Sequence, residues 1–324
     1  MESIGSPWMW CGFLAFVLAM LALDLGVGQR RPHRVGLREA ALWSSVWVGC
    51  ALVFNLLIWQ SFGSQRGLEF LTGYLIEKAL SVDNIFVFML IFGAFAVPEQ
   101  YHHRVLFWGI LGALVLRAVF VLLGAALLAR FHWVLYLFGG FLAYAGVKML
   151  CFRSEFDPRG NRVFRFLAGL IPTVASNPGP AFTVRRGGRR YATPLLLVLI
   201  AVELTDVLFA VDSVPAIFAV TRDPFIVFTS NIFAILGLRS LYFLLAGVVG
   251  RFHLLKPGLS LVLIFVGLKM LLGALWPVPV GWSLGVIALL VGGSIAGSLL
   301  WPKPAGAGGA ELPARPAVGG DPAP

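Results

Sequence analysis

Nine apolar runs dominate the sequence, and each is about long enough to cross a membrane as a helix. A transmembrane helix needs about 20 mostly apolar residues. The runs are bounded by charged residues, Pro and Gly, and they cover residues 8–28, 40–60, 67–97, 104–128, 133–151, 192–220, 224–249, 257–276 and 280–301. We therefore predict an all-α fold, a polytopic transmembrane helix bundle of about nine spans.

The basic residues predict how these spans are oriented. Connections expected on one side of the membrane hold 17 Lys and Arg residues, and those on the other side hold only Arg66, Arg130 and Arg222. Because Lys and Arg collect in cytoplasmic loops, the N-terminus is predicted outside and the C-terminus inside. The expected location is the inner (plasma) membrane, with the lipid bilayer as a partner. The net charge of +10 is then explained by the basic cytoplasmic connections, so we expect no nucleic-acid partner.

The domain organisation follows from the same pattern. We expect one transmembrane domain over residues 1–301, with repeat halves at about 67–151 and 192–276. Residues 152–191 form a long basic connection on the predicted cytoplasmic side, and its "RRGGRR" stretch is expected to face lipid headgroups. The tail, 302–324, is rich in Pro, Gly and Ala and is expected to be disordered.

The chain contains an internal repeat. "ARFHWVLYLFGGFLAYAGVKML" at 129–150 has a counterpart in "GRFHLLKPGLSLVLIFVGLKML" at 250–271, and "VLRAVF" upstream answers "GLRSLY". The repeat covers the third to fifth and the sixth to eighth runs. Because three spans separate equivalent helices, the halves must cross the membrane in opposite directions. Inverted repeats are typical of secondary transporters, whose substrate site lies near the midplane where the halves meet.

Acidic residues within the repeat are the candidate metal ligands. "EKALSVDNIF" aligns with "DVLFAVDSVP", so Glu77 matches Asp206 and Asp83 matches Asp212, and Glu203 lies three residues before Asp206. A carboxylate at the membrane centre costs at least about 2.5–3.5 kcal/mol, so it needs a cation, a proton, water or a basic partner. Oxygen ligands suit a hard or borderline divalent cation such as Mn, Mg or Ca. We expect Asp83 and Asp212 to meet across the midplane.

Helix geometry adds a further expectation. Pro215 frees the carbonyl of Val211, beside Asp212, which favours a kink or break there. The third and sixth runs are also longer than a straight span requires, which is consistent with a broken or steeply tilted path.

Other polar residues in the runs complete the candidate set. Neutral oxygens could come from Asn84, Ser213, Thr205 and Asn231. Five basic residues are candidate charge partners: Lys78, Arg117, Arg239, Lys148 and Lys269. An alternative to metal binding is that the acids pair with these basic residues and hold the bundle together. Arg117 and Arg239 suit that structural role, whereas Lys148 and Lys269 can extend toward the membrane interfaces.

Two long segments resemble a known family. "FLTGYLIEKALSVDNIFVF" and "YATPLLLVLIAVELTDVLFAVDSVPAIFAVTRDPFIVFTSNIFAILGLRSLYFLLAG" are similar to the signature regions of the TerC family of integral membrane proteins, named for a link to tellurite resistance. The similarity runs from about residue 22 to about residue 300. The resemblance implies a multi-helix fold in the LysE-like transporter group and export of divalent manganese or, in some members, calcium. It implies Asp83 and Asp212 as ligands, with Glu77, Glu203 and Asp206 nearby.

Together these observations predict a membrane transporter that exports a divalent cation, most readily Mn²⁺, in exchange for protons. The same carboxylates can be protonated or metal-bound but not both, which suits such an exchange. The metal is the substrate, so no resident cofactor is expected. Two alternatives are a non-transporting scaffold for a metal or envelope stress response and an intramembrane aspartyl hydrolase. The GxGD motif of intramembrane aspartyl proteases and the HExxH motif are absent, so we do not expect an enzyme.

Overall fold

The structure is a computed structural model. It describes residues 3–28, 36–95, 97–131, 133–151, 172–174, 179, 181–186, 189–246, 254–273, 275 and 278–301. Within the helices and strands, the side chains of residues 23–28, 83, 86, 94, 186 and 246 are not described. The predictions for the Asp83 side chain, for residues 152–171 of the basic connection and for the tail 302–324 therefore lie outside the described part of the chain.

Each predicted apolar run contains helix. In chain order, the described elements are α1 (Pro7–Gly28), α2 (Leu37–Phe62), α3 (Ser64–Ala94), α4 (Glu99–Arg130), α5 (Val134–Cys151), β1 (Thr183–Arg186), β2 (Arg189–Ala192), α6 (Pro194–Phe218), α7 (Pro224–Leu236), α8 (Leu238–Ala246), α9 (Leu255–Leu272) and α10 (Val280–Leu300). Among the described residues, six helices are long and apolar enough to span a membrane, or seven if α7 and α8 form one bent span. The chain is thus an integral membrane protein of several apolar helices. The number nine, the orientation and the inverted relation of the halves stay predictions.

A small β-ribbon corrects the all-α expectation. Strands β1 and β2 pair antiparallel, with Thr183 opposite Ala192 and Arg185 opposite Arg190. Thr, Val and Tyr favour strands, and the Gly-Gly pair between the strands is typical of a two-residue hairpin turn. The guanidinium of Arg104 on α4 lies 5.2 Å from the ring centre of Phe182, so the ribbon packs beside the start of α4.

The break in the bundle occurs at a different place from the one predicted. Helices α3 and α6 are both continuous, and α6 continues past Pro215 for three residues before it ends at Phe218. Since Pro215 lies in the last turn, its missing hydrogen bond does not divide the helix. The bend lies instead between α7 and α8, whose axes differ by 41° at Gly237.

Helices α3, α6 and α7 form the centre of the bundle. All residues of α7 from Phe225 to Leu236 are buried. The side chain of Asp223 caps α7 by accepting a hydrogen bond from Phe225 N at 2.9 Å. The same carboxylate accepts hydrogen bonds from Ser3 Oγ and Ile4 N, which ties the start of the chain to α7.

Helices α5 and α9, which the repeat predicts to be equivalent, pack closely against each other. A Cβ atom at Gly146 would lie 2.7 Å from Ser260 O, and one at Gly267 would lie 2.5 Å from Ala143 N. Each glycine therefore allows the backbone of the neighbouring helix to approach, as small residues do in membrane helix pairs. The contact holds the two halves of the chain together beside α3 and α6.

Candidate cation site

A buried arginine, Arg117 of α4, lies at the centre of the bundle. Its side chain is 1% exposed and forms ion pairs with Glu77 of α3 and Asp206 of α6. Arg117 Nη2 and Nε donate to the two carboxylate oxygens of Asp206 at 3.0 and 3.3 Å. Arg117 Nη1 donates to Ser213 Oγ at 3.5 Å and to Asn231 Oδ1 at 3.3 Å. We call these five residues the Arg117 cluster.

Four helices position the Arg117 cluster. Asp206 and Ser213 are seven residues apart on α6, which places them on one face of that helix. Glu77 comes from α3, Asn231 from the fully buried helix α7, and Arg117 from the middle of α4. Because Glu77 and Asp206 are equivalent in the repeat alignment, the cluster joins corresponding acids from the two halves of the sequence.

The charges of the Arg117 cluster do not balance when both acids are ionised. Two carboxylates, of Glu77 and Asp206, face a single guanidinium, and their residues are 0% and 3% exposed. Asp206 uses both oxygens for Arg117, whereas Glu77 Oε2 has no hydrogen-bond donor in the described part of the chain. A second positive charge or a proton would therefore stabilise the cluster.

Other predicted ligands lie outside the Arg117 cluster. Glu203 lies over Gly112 of α4 and lines a cavity of about 340 Å³ whose other lining residues are apolar. Thr205 turns its hydroxyl back to the carbonyls of its own helix, at Ala201 and Val202. Asp212 is half-buried on α6. Since the Asp83 side chain is not described, the expected meeting of Asp83 with Asp212 stays a prediction.

Asn84 and Lys78 both lie on α3, but they have different surroundings. Asn84 is 1% exposed, and its Oδ1 atom accepts no hydrogen bond from the described residues. Lys78 is adjacent to Glu77 in sequence, yet its Nζ atom donates to the carbonyl of Ala234 at 3.3 Å, near the end of α7. Lys78 thus places its ammonium group at the negative end of the α7 dipole.

The three remaining basic candidates are also apart from the cluster. Arg239 Nη1 lies 2.8 Å from Nε2 of His103, near the start of α4. Lys148 is exposed on α5, whereas its repeat counterpart, Lys269, is half-buried and lines a second cavity. Among the five basic candidates, Arg117 is the one that joins two predicted acidic ligands, Glu77 and Asp206.

Sequence reasoning missed Glu69, a buried acid that lines the second cavity, of about 400 Å³. Its carboxylate pairs with Arg66 Nη1 at 2.9 Å and accepts hydrogen bonds from Thr221 Oγ1 at 2.7 Å and Gln65 Nε2 at 3.2 Å. Its position in the first turns of α3, three residues after Arg66, resembles an ordinary surface ion pair. The contact with Thr221 in the α6–α7 connection could not be read from the sequence.

The described side chains do not form a ready-made soft-metal or multi-carboxylate centre. Among them, no group of three or more His, Cys, Asp and Glu residues is arranged to hold a metal ion. Cys11, Cys50 and Cys151 lie on α1, α2 and α5 and are free thiols. In this conformation the guanidinium of Arg117 provides the positive charge for Glu77 and Asp206.

Comparison with known proteins decides the family. The sequence profile of the integral membrane protein TerC family matches residues 62–304. The chain belongs to the TerC family. The match includes every member of the Arg117 cluster as well as both repeat halves, so the resemblance expected from the two signature segments is confirmed.

Full-length relatives agree with this assignment. The TerC chain is 55% identical over 312 residues to the uncharacterized membrane protein STKORF319 of Myxococcus xanthus, covering 96% of this chain and 98% of the relative. It is 48% identical over 297 residues to a protein of Escherichia coli K12 whose name describes a proposed membrane-bound redox modulator, Alx, covering 89% and 92% of the two chains. A membrane protein of Rickettsia felis is 39% identical over 289 residues, which are 89% and 96% of the two chains. No solved structure matches the chain.

Proposed function

We propose that this TerC protein is a membrane transporter that exports a divalent cation, with Mn²⁺ as the preferred substrate, in exchange for protons. The observation that carries the proposal is the Arg117 cluster, in which two buried carboxylates, of Glu77 and Asp206, share one guanidinium. A buried site with one excess negative charge attracts a cation or a proton. Exchange follows because either of them can neutralise the excess charge.

The helices that provide the acids support the same function. Glu77 comes from α3 and Asp206 from α6, which are the first helices of the two predicted repeat halves. A site formed where two repeats meet can be opened to either side when one half moves against the other. Movement of α3 relative to α6 would also change how Arg117 divides its contacts between the two acids. The affinity of the acids for the cation would change with it. Asp83 and Asp212, one turn and a half further along α3 and α6, are proposed as the additional ligands.

Metal flux into vesicles tests the proposal. The purified protein is reconstituted into liposomes that contain an Mn²⁺-sensitive dye, and Mn²⁺ uptake is recorded with an imposed proton gradient of either direction. We expect uptake that depends on the gradient and is slowed by at least about tenfold, or about 1.4 kcal/mol of barrier, in Glu77→Gln. The absence of Mn²⁺ flux under both gradients would overturn the proposed function.

Glu69→Gln is the matched control for the site assignment. Both glutamates are on α3, both are less than one-tenth exposed, and both have an arginine partner. Glu69 differs because Arg66, Gln65 and Thr221 already satisfy its carboxylate. Equal loss of flux in Glu69→Gln and Glu77→Gln would show that the Arg117 cluster has no special role in transport.

A further inference from the structure

Four polar residues lie on one face of α3. Tyr74, Glu77, Ser81 and Asn84 are spaced by three, four and three residues. At about 100° per residue they fall within about 80° of the helix circumference, and they extend over about 15 Å of its length. Their centre, residue 79, is also the midpoint of α3, which runs from Ser64 to Ala94. We call these four residues the α3 polar stripe.

Each residue of the α3 polar stripe is buried and carries an unpartnered oxygen. Tyr74, Glu77, Ser81 and Asn84 are 6%, 0%, 0% and 1% exposed. The Tyr74 hydroxyl, Glu77 Oε2, Ser81 Oγ and Asn84 Oδ1 have no hydrogen-bond partner among the described residues. By contrast, the hydroxyl of Thr72, on another face of α3, donates to Leu68 O at 2.7 Å. Among the described side chains of α3, the unsatisfied groups are thus confined to one face.

The facing helices show related features. Asn231 of α7 uses Oδ1 for Arg117, but its Nδ2 atom has no partner in the described residues. The positions of α6 that align with the stripe are Glu203, Asp206, Ala210 and Ser213, three of which are polar. Glu203 Oε2 is also buried and unpartnered within the described part. Asn231 therefore adds an unsatisfied polar atom where α7 faces the stripe, whereas Glu203 lies beside α4.

An unsatisfied polar atom in the middle of a membrane is strongly unfavourable. Four of them at helical spacing, centred on one helix, indicate a ligand that brings hydrogen-bond donors or positive charge to that face. Water supplies donors to hydroxyl, amide and carboxylate oxygens alike. The same three oxygen types also bind hard divalent cations, which keep part of their water shell.

We propose that the α3 polar stripe is one wall of a narrow, water-filled path along which the cation reaches and leaves the Arg117 cluster. Glu77 belongs to both the stripe and the cluster, so the path passes the excess carboxylate. Tyr74 and Ser81 become path-lining residues in addition to Asn84. The inference that the stripe is hydrated follows from the geometry of α3, whereas the inference that the cation passes along it rests on the proposed function.

Thiol accessibility tests hydration without relying on transport. In a background with Cys11→Ser, Cys50→Ser and Cys151→Ser, Ser81→Cys is compared with Ser260→Cys. Both serines are 0% exposed, but Ser260 Oγ donates to Lys256 O at 2.9 Å and lies on α9, away from the stripe. The proteins are treated in lipid bilayers with 2-aminoethyl methanethiosulfonate, and modification is followed by mass spectrometry. Because only the thiolate reacts and thiolate forms readily in water, we expect modification at 81 to be at least about tenfold faster.

The outcomes separate the two parts of the proposal. Fast modification at 81 that slows when Mn²⁺ is added supports a hydrated path used by the cation. Fast modification that Mn²⁺ leaves unchanged supports the hydrated stripe and overturns the passage of the cation along it. Equal, slow modification at 81 and 260 overturns the stripe proposal even if the vesicles show Mn²⁺ flux. Absence of flux together with fast modification at 81 would remove the proposed function and leave a hydrated stripe.

Discussion

Two arginines that are equivalent in the sequence repeat have very different surroundings. Arg117, in "VLRAVF", is 1% exposed and joins Glu77 to Asp206 in the centre of the bundle. Arg239, in "GLRSLY", is half-buried and contacts His103 near the start of α4. Arg117 therefore joins acids from both halves, whereas Arg239 contacts a histidine near the start of α4.

The helix break explains the difference. Arg117 lies in the middle of α4, a continuous helix of 32 residues that packs against both α6 and α7. Arg239 is the second residue of α8, directly after the 41° bend at Gly237. The bend directs α8 away from the line of α7, and the Arg239 side chain then reaches the end of α4 instead of the centre. Equivalent positions of a sequence repeat can thus have different surroundings in the fold.

The largest effect is expected for Arg117→Met. The substitution leaves Glu77 and Asp206 buried without a basic partner, and breaking a buried ion pair costs about 3–5 kcal/mol. The free energy of unfolding, measured by titration with dodecyl sulfate in mixed micelles, should fall by that amount. Adding Glu77→Gln and Asp206→Asn should restore most of it, because the buried charges are then removed together. If the free energy of unfolding falls no more in Arg117→Met than in Arg239→Met, the ion pairs of Arg117 do not stabilise the centre of the bundle.

The sequence predicted the helices better than it predicted the contacts between them. Each apolar run contains a helix in the part of the chain that the structure describes, because a membrane helix needs a long apolar stretch and little else. The repeat alignment makes Glu77 equivalent to Asp206, and both contact Arg117. The sequence could not predict that Arg117, and not Arg239, would join Glu77 to Asp206, nor that the break would lie at Gly237. Both features depend on the directions of whole helices.

The β-ribbon and Glu69 were missed for a related reason. "TVRRGGRRYA" looks like a basic loop, and only the antiparallel pairing of its two ends makes it a ribbon. Glu69 looks like the partner of Arg66 three residues earlier, and only the approach of Thr221 shows that it lines a cavity. In each case a local pattern was correct, but a contact distant in sequence gave it another role.

A smaller effect is expected for Lys78→Met, a substitution close to the break between α7 and α8. The Lys78 ammonium contacts Ala234 O at the end of α7, immediately before the break that separates Arg239 from the centre. Removing the ammonium should cost about 1–2 kcal/mol, because a carbonyl loses a charged donor. The same titration measures it, with Lys148→Met, an exposed lysine on α5, as the control. If Lys148→Met costs as much as Lys78→Met, the contact with α7 does not stabilise the fold.

The smallest effect is expected for Arg239→Gln. Arg239 is half-buried, and an ion pair or hydrogen bond that solvent can reach contributes about 0–1 kcal/mol. The free energy of unfolding should therefore change by less than about 1 kcal/mol, and Mn²⁺ flux in vesicles should stay near that of the unaltered protein. The matched substitution, Arg117→Gln, should lower both quantities strongly, because no amide can replace the two-pronged contact with Asp206. Mn²⁺ flux could instead fall as much in Arg239→Gln as in Arg117→Gln. The two repeat positions would then be functionally equivalent despite their different surroundings, and the end of α4 would belong to the proposed transport site.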